Sequence, residues 1–341
     1  ELKNIYYQQP VSAQIDVAKI NELLMKIHDW LEKNIKMLAT MEKSSKENLI
    51  TDKQRVESSL HGLLNIERAL SIFEKFIDSS HVKCFNRPAM LLYGDAGSGK
   101  SHLLADIAMQ CCTEEIPCVL LLGQQFSAND SPWQQIITSL LRLVCSNENE
   151  FLGALNAIGM AYNQRILFLI DALNEGAGKN YWPKFLAGFI DGFKKYPYIA
   201  LVISIRSSYI DCFSQESIGS LVKINHEGFA GDILFLASEK FFQYYGIKQP
   251  NIPLLNPEFN NPLFLKLFCS GMHKAGHKSI PKGMSGLTQI FDLFIHNSAK
   301  EICQRNEIDI KLNIIPEIID YLAKYCITNS TNNIPYKIAA R

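Results

Sequence analysis

The sequence predicts an α/β fold organised around a five-stranded parallel sheet, and three observations carry that prediction. Between residues 88 and 228, short continuous apolar runs alternate with helical patterns. Runs of that kind belong to parallel strands covered by helices on both faces. Three of them end in Gly94, Asp171 and Arg206, which puts a turn, a carboxylate and a guanidinium at strand tips. In an open parallel sheet, ligands bind off those carboxyl ends. Outside this region the alternation stops, and residues 1–87 and 229–341 read as helical.

The helical segment 1–87 carries two amphipathic patterns. One places Ile15, Val17, Ile20, Leu23, Leu24, Ile27, Trp30 and Leu31 at helical spacing, and the other runs from Thr51 to Phe76. The polar stretch Lys43–Asn48 separates them. A bundle or stalk packed on the following domain, or a connector to an upstream one, fits this pattern. The core, 88–228, opens with the strand Pro88–Tyr93 and continues with strands at Pro117–Leu122, Arg165–Ile170, Ile199–Ile205 and Leu221–Asn225. Helices are expected at His102–Cys112, Trp133–Val144, Glu150–Tyr162 and Trp182–Lys195. Ser131 is the N-cap of the second, and Pro132 its first residue. Residues 229–341 are expected to hold helices at Asp232–Tyr245, Pro262–Lys274, Leu287–Arg305 and Ile314–Ile327.

Between the first strand and its helix lies Gly94-Asp95-Ala96-Gly97-Ser98-Gly99-Lys100-Ser101, which satisfies Gly-x4-Gly-Lys-[Ser/Thr] at every fixed position. Glycines allow the sharp turn and close backbone approach that an anion needs. Free N–H groups of the loop and of the first helical turn, through His102, face the phosphates. Lys100 is placed for the β- and γ-phosphates and the Ser101 hydroxyl for Mg2+. Asp171, at the tip of the third strand, can hold Mg2+ through water. Glu175, four residues on, can orient or deprotonate the attacking water. Arg206, ending the fourth strand, can read the γ-phosphate. Asp171 as a turn cap, a solvated Glu175 and an Arg206 paired with a surface carboxylate are the structural alternatives.

Bulk properties narrow the classes. The chain has 341 residues, room for two or three domains, with 34 basic residues against 34 acidic ones. That balance advertises no global basic field for nucleic acid. Nine scattered cysteines, without CxxC or finger spacing, read as reduced thiols. No apolar run is long enough to cross a bilayer. Cytoplasmic location follows as the expectation. Because the chain begins at Glu1 rather than Met, a segment of a longer protein is expected. Cys269, His273 and His277 repeat every four residues, yet i and i+8 lie about 12 Å apart along a helix. One zinc with ligand bonds of about 2 Å cannot take both ends.

The motifs together resemble the STAND branch of signal-transducing P-loop ATPases, near the NACHT group, and most of all bacterial antiviral proteins of the AVAST type. The resemblance rests on Leu91–Ser101, Phe168–Glu175, Ser204-Ile205-Arg206, Asn225–Phe229 and Asn260-Asn261-Pro262-Leu263-Phe264-Leu265. It implies an ASCE/AAA+-like P-loop NTPase core followed by a helical lid domain over 229–310, in which Pro262 packs near the adenine. It also implies that 311–341 begins a winged helix. ATP or ADP with Mg2+ would be bound, with slow, regulated hydrolysis. The resemblance further implies self-association into a homo-oligomer, a tetramer being one form, on a trigger protein that can be phage-derived. Nucleic acid would be met only through an effector domain outside this chain. Two departures bear on hydrolysis: Asn174 stands where the family often has Asp, and no adjacent Asp-Glu pair is present. A AAA+-like motor or loader acting on DNA or protein, and a scaffold holding nucleotide as a structural cofactor, are the other readings.

Overall fold

The computed structural model describes residues 14–44, 50–127, 130–145, 147–249 and 257–280, then 292, 295–296, 299–300, 302–306, 308–329 and 334. The chain divides into two compact units. One comprises Glu1–Ala96 and Lys100–His226, the other Gly97–Gly99 and Glu227–Arg341.

The first unit begins with an antiparallel pair of long helices, α1 (Val17–Ser44) and α2 (Ile50–Ile77). Asp16 caps α1 by accepting the Lys19 N–H at 3.0 Å. Leu24 and Leu31, one heptad apart, are buried. His28 Nε2 and Glu74 Oε1 meet at 2.8 Å between the two helices. A short helix not anticipated from the sequence, α3 (Ser80–Asn86), follows. The Asn86 amide then takes both backbone groups of Ile15, accepting its N–H at 2.7 Å and donating to its carbonyl at 2.8 Å. That pair of hydrogen bonds ties the start of α1 to the entry of the sheet.

The sheet holds β1 (Ala89–Gly94), β2 (Cys118–Leu122), β3 (Ile166–Asp171), β4 (Ile199–Arg206) and β5 (Val222–Asn225). All neighbours are parallel, in the order β2-β3-β4-β1-β5. Gly94 pairs in register with Arg206, and Leu122 with Asp171, so the expected strand tips do line up along one edge. α4 (Lys100–Thr113) covers one face with Leu104 and Ala108, packed on Leu92, Leu169 and Val202. The other face is covered by α5 (Glu148–Tyr162) and α6 (Gly178–Phe193), with Trp182, Phe189 and Phe193 against Phe168. Asn147 caps α5, accepting the Glu150 N–H at 3.0 Å.

The expected helix Trp133–Val144 takes a different form. One α turn, Pro132–Gln134, capped by Ser131 as anticipated, widens into a π-helix over Gln135–Leu140. The cause is tertiary. The buried Gln135 side chain accepts from the Ser127 N–H at 2.7 Å and donates to the Ser127 and Asp130 carbonyls. Its Nε2 also reaches the Tyr181 hydroxyl, at 2.8 Å. Arg142, at φ +50°, prevents the helix from continuing to Val144. α6 starts at Gly178, four residues before the expected Trp182, and carries Pro183 inside it.

In the second unit, α7 (Asp232–Tyr245) ends at Gly246 in the left-handed conformation. α8 (Pro262–Lys274) is capped by Asn261, which accepts from the N–H groups of Leu263 and Phe264. Phe242, Ile247, Phe259, Leu265, Phe268, Cys269 and Met272 form this unit's core. α9 (Ile314–Thr328) follows, and the expected helix Leu287–Arg305 lies largely outside the described residues. Cys269 is buried, and His273 Nδ1 pairs with the Tyr245 carbonyl at 2.8 Å. No cluster of three metal-ligating side chains occurs among the described residues. No helix among them is long and apolar enough to cross a membrane.

Candidate phosphate-binding site

The phosphate loop leaves β1 at Gly94 and enters α4 at Lys100. Gly97 and Gly99 have φ of +77° and +103°, conformations that glycine adopts at no steric cost. Within the second unit, a Cβ on Gly97 would lie 2.7 Å from the Leu263 Cβ and 2.9 Å from Asn261 Oδ1. The Gly97 carbonyl accepts the Leu263 N–H at 3.2 Å. Gly228 is similarly constrained, with φ +83° and a Cβ position 2.3 Å from the Asn260 carbonyl oxygen.

Lys100 is buried, and its Nζ donates to the carbonyls of Gly94 and Asp95, each at 2.8 Å. Burial pushes its pKa down from 10.5, and the nearby Arg206 adds to this. Asp171 and Asp95 act in the opposite direction. The ammonium is therefore poised for an added negative charge. Ser98 is buried, whereas Asp95, Ala96, Ser101 and His102 are exposed.

Asp171 is buried at the β3 tip, where its Oδ1 accepts from the Ser204 hydroxyl at 2.5 Å. The same Ser204 oxygen accepts the Ala172 N–H at 2.7 Å, and its carbonyl takes the Leu173 N–H. The chain turns at Ala172, which sits at φ +53°. Asn174 is buried and its Oδ1 accepts the Arg206 backbone N–H at 3.0 Å. The Arg206 side chain reaches the same loop: its Nη2 donates to Glu175 Oε1 at 3.0 Å. Gly123, ending β2, must be glycine because a Cβ there would lie 2.2 Å from the Ala172 carbonyl oxygen.

The structure thus places Asp171 and Arg206 within electrostatic reach of Lys100 and brings Glu175 into contact with Arg206. The donor set suits a magnesium nucleotide. Two positive-φ glycines open the loop, a buried cation crosses it, and Ser101 and Asp171 offer hard oxygens of the kind Mg2+ takes.

The family model of the NACHT domain matches residues 88–223. That match supports a STAND-class P-loop NTPase over these residues. A search of the curated proteins finds no match. Among solved structures, domain III of the replication initiation protein DnaA of Thermotoga maritima aligns at 16% identity and a TM-score of 0.35. It covers 60% of this chain and 84% of that one. Drosophila ORC bound to DNA aligns at 15% and 0.37, over 82% of this chain and 72% of that one. Cdc6p of Pyrobaculum aerophilum aligns at 16% and 0.34, over 62% and 60%. At these TM-scores the likenesses carry no argument about what the chain binds.

Two polar residues of this NTPase domain were not assigned a role from the sequence. Ser204 interrupts the apolar run of β4 at a buried position, and that interruption is the available signal. Asn174 stands where an acidic group was expected, and its amide oxygen accepts the Arg206 N–H, a neutral bond in place of a charge-assisted one. His226 follows β5 and donates its N–H to the Tyr93 carbonyl at 2.7 Å, level with the phosphate-loop root. Burial, with Lys100 adding to it, lowers its pKa from 6.5.

Proposed function

We propose that this chain is the ATP-binding and ATP-hydrolysing switch of a STAND-type signalling protein. The reading turns on one observation: Arg206 pairs with a surface carboxylate, the structural alternative named for it above, but that carboxylate is Glu175, at 3.0 Å with the side chains 45% and 36% exposed. A pair that exposed is worth about 0–1 kcal/mol. A γ-phosphate can therefore draw Arg206 away at little cost and release Glu175 to water.

In this reading Lys100 lies along the β- and γ-phosphates, and the loop N–H groups from Asp95 to His102 hold their oxygens. Ser101 and Asp171 hold Mg2+, which when bound would neutralise charge on the phosphates. Glu175 orients the water and accepts its proton as the oxygen attacks the γ-phosphorus. The bond to the β-phosphate oxygen breaks, leaving ADP and inorganic phosphate. Pro262 is carried as the adenine neighbour on the family resemblance alone. Moving a two-state equilibrium from 1:99 to 99:1 requires roughly 5.5 kcal/mol of differential binding. Contacts made by Lys100, Ser101 and Arg206 to a γ-phosphate in one state only would contribute to it.

The proposal extends to nucleotide-dependent homo-oligomers, an effector and a trigger sensed outside this segment, a cytoplasmic setting and a role in anti-phage defence of the AVAST kind. The test is ATP binding and assembly size of the protein with Lys100→Ala. Loss of both is expected, and unchanged affinity and assembly would overturn the reading.

A further inference from the structure

A cavity of about 430 Å³ opens at the other end of the sheet, where Ala89 begins β1 and Ile199 begins β4. All its lining residues belong to the first unit. Each strand residue rises about 3.3 Å, so the six residues of β1 keep the cavity well away from Gly94. Its inner wall is apolar and aromatic, formed by the buried Ile190 and Phe193 with Tyr196. Its remaining charged lining residues are Arg87, Arg165 and Lys194, with no Asp or Glu among them.

Arg165 is anchored. Its Nη2 donates to the Phe85 carbonyl at 2.7 Å and its Nε to the Pro197 carbonyl at 3.1 Å. Its guanidinium lies 5.1 Å from the centroid of the Phe85 ring. Burial lowers the Arg165 pKa, opposed by Cys84, so Arg165 is the fixed wall of the cavity and the exposed Arg87 and Lys194 are the cations open to a ligand. Lys194 pairs with Asp191 at 2.8 Å, both largely exposed, a weak pair that can be exchanged. Arg87 is exposed. The volume lies within the usual range for small-molecule sites, about 300–1,000 Å³. An apolar wall with a cationic rim selects an apolar body with a negative head.

We propose that this cavity binds a small molecule with a flat, aromatic body and a single anionic group, a carboxylate or a phosphate. Gln14 and Asn86 also line it, and Asn86 holds Ile15. The occupant therefore braces the junction between α1 and the sheet. The inference does not depend on the nucleotide reading.

Isothermal titration of the whole chain with naphthaleneacetate, naphthyl phosphate and the neutral naphthaleneacetamide tests it. One of the two anions is expected to bind at one site per chain about 10-fold or more tighter than the amide, a difference of about 1.4 kcal/mol. The tighter of the two identifies the head group. Arg87→Gln combined with Lys194→Gln, both exposed positions, should erase that preference, with unchanged circular dichroism confirming the fold. Lys100→Ala should leave it intact. Equal affinity for anion and amide, no binding by any of the three, or a preference that survives the double substitution would overturn the proposal. So would loss of binding in Lys100→Ala, which would place the probe at the phosphate loop instead.

Discussion

Arg206 holds the loop after β3 at two points: its Nη2 donates to Glu175 Oε1 at 3.0 Å and its backbone N–H to Asn174 Oδ1 at 3.0 Å. The backbone bond is part-buried, against the buried Asn174, on a residue held by strand pairing, while the side-chain bond is exposed. Only the second can be exchanged without disturbing the sheet. The tip of β4 therefore combines a rigid anchor with a movable charge.

If Glu175 handles the attacking water, Glu175→Gln should lower hydrolysis by about 10²–10⁴-fold, the usual contribution of a positioned base. ATP affinity should stay within about twofold, since the amide keeps the shape and removes only the charge. Phosphate release and fluorescent-nucleotide titration measure the two quantities separately. A parallel loss of binding would assign Glu175 to structure.

Ser204 is the support under Asp171. Ser204→Ala removes the hydroxyl that donates to Asp171 Oδ1 and accepts from the Ala172 N–H, leaving both groups without it in a buried site. The expected cost is about 1–3 kcal/mol in a urea melt. The magnesium concentration for half-maximal ATPase should rise as well. A variant with unaltered stability and unaltered magnesium demand would show that the carboxylate is held by other contacts.

Two glycines provide a matched comparison of backbone tolerance. Gly123→Ala puts a Cβ 2.2 Å from the Ala172 carbonyl oxygen, and neither backbone can yield easily. It should destabilise by about 1–3 kcal/mol. Gly188, exposed on α6, has nothing within 4 Å of its Cβ position. Gly188→Ala should be neutral or stabilise by about 0.5–1 kcal/mol through helix propensity. Thermal melts of the two variants side by side check the contrast.

His226 gives the stability a pH dependence. Burial, then Lys100, lowers its folded-state pKa below 6.5, so between that lowered value and 6.5 the unfolded chain binds more protons. Stability is therefore fully present above 6.5 and declines as the pH falls through that window. His226→Gln should lose less stability than the parent between about pH 7.5 and pH 5.5. Identical losses in urea melts would remove His226 from the linkage.

Much of the site was legible because the phosphate loop is local: its glycines, Lys100 and Ser101 are contiguous, and the neighbouring apolar runs placed Asp171 and Arg206 at strand tips. The pairing of Glu175 with Arg206 was not, since 31 residues and a helix separate them and a loop decides where a side chain points. The π-helix at Gln135–Leu140 depends on bonds from Gln135 to Ser127, Asp130 and Tyr181, which no periodicity records. The short helix Ser80–Asn86 lacks the length to display a pattern.

The direct test of the switch is the affinity for MgATP and MgADP, by calorimetry, of the parent and of Arg206→Ala. A charge-assisted hydrogen bond to the γ-phosphate is worth about 1.5–3 kcal/mol, roughly 10- to 150-fold. Arg206→Ala should weaken ATP by about that factor and leave ADP within about twofold. Equal weakening of both nucleotides, or of neither, would contradict the exchange of Glu175 for the γ-phosphate.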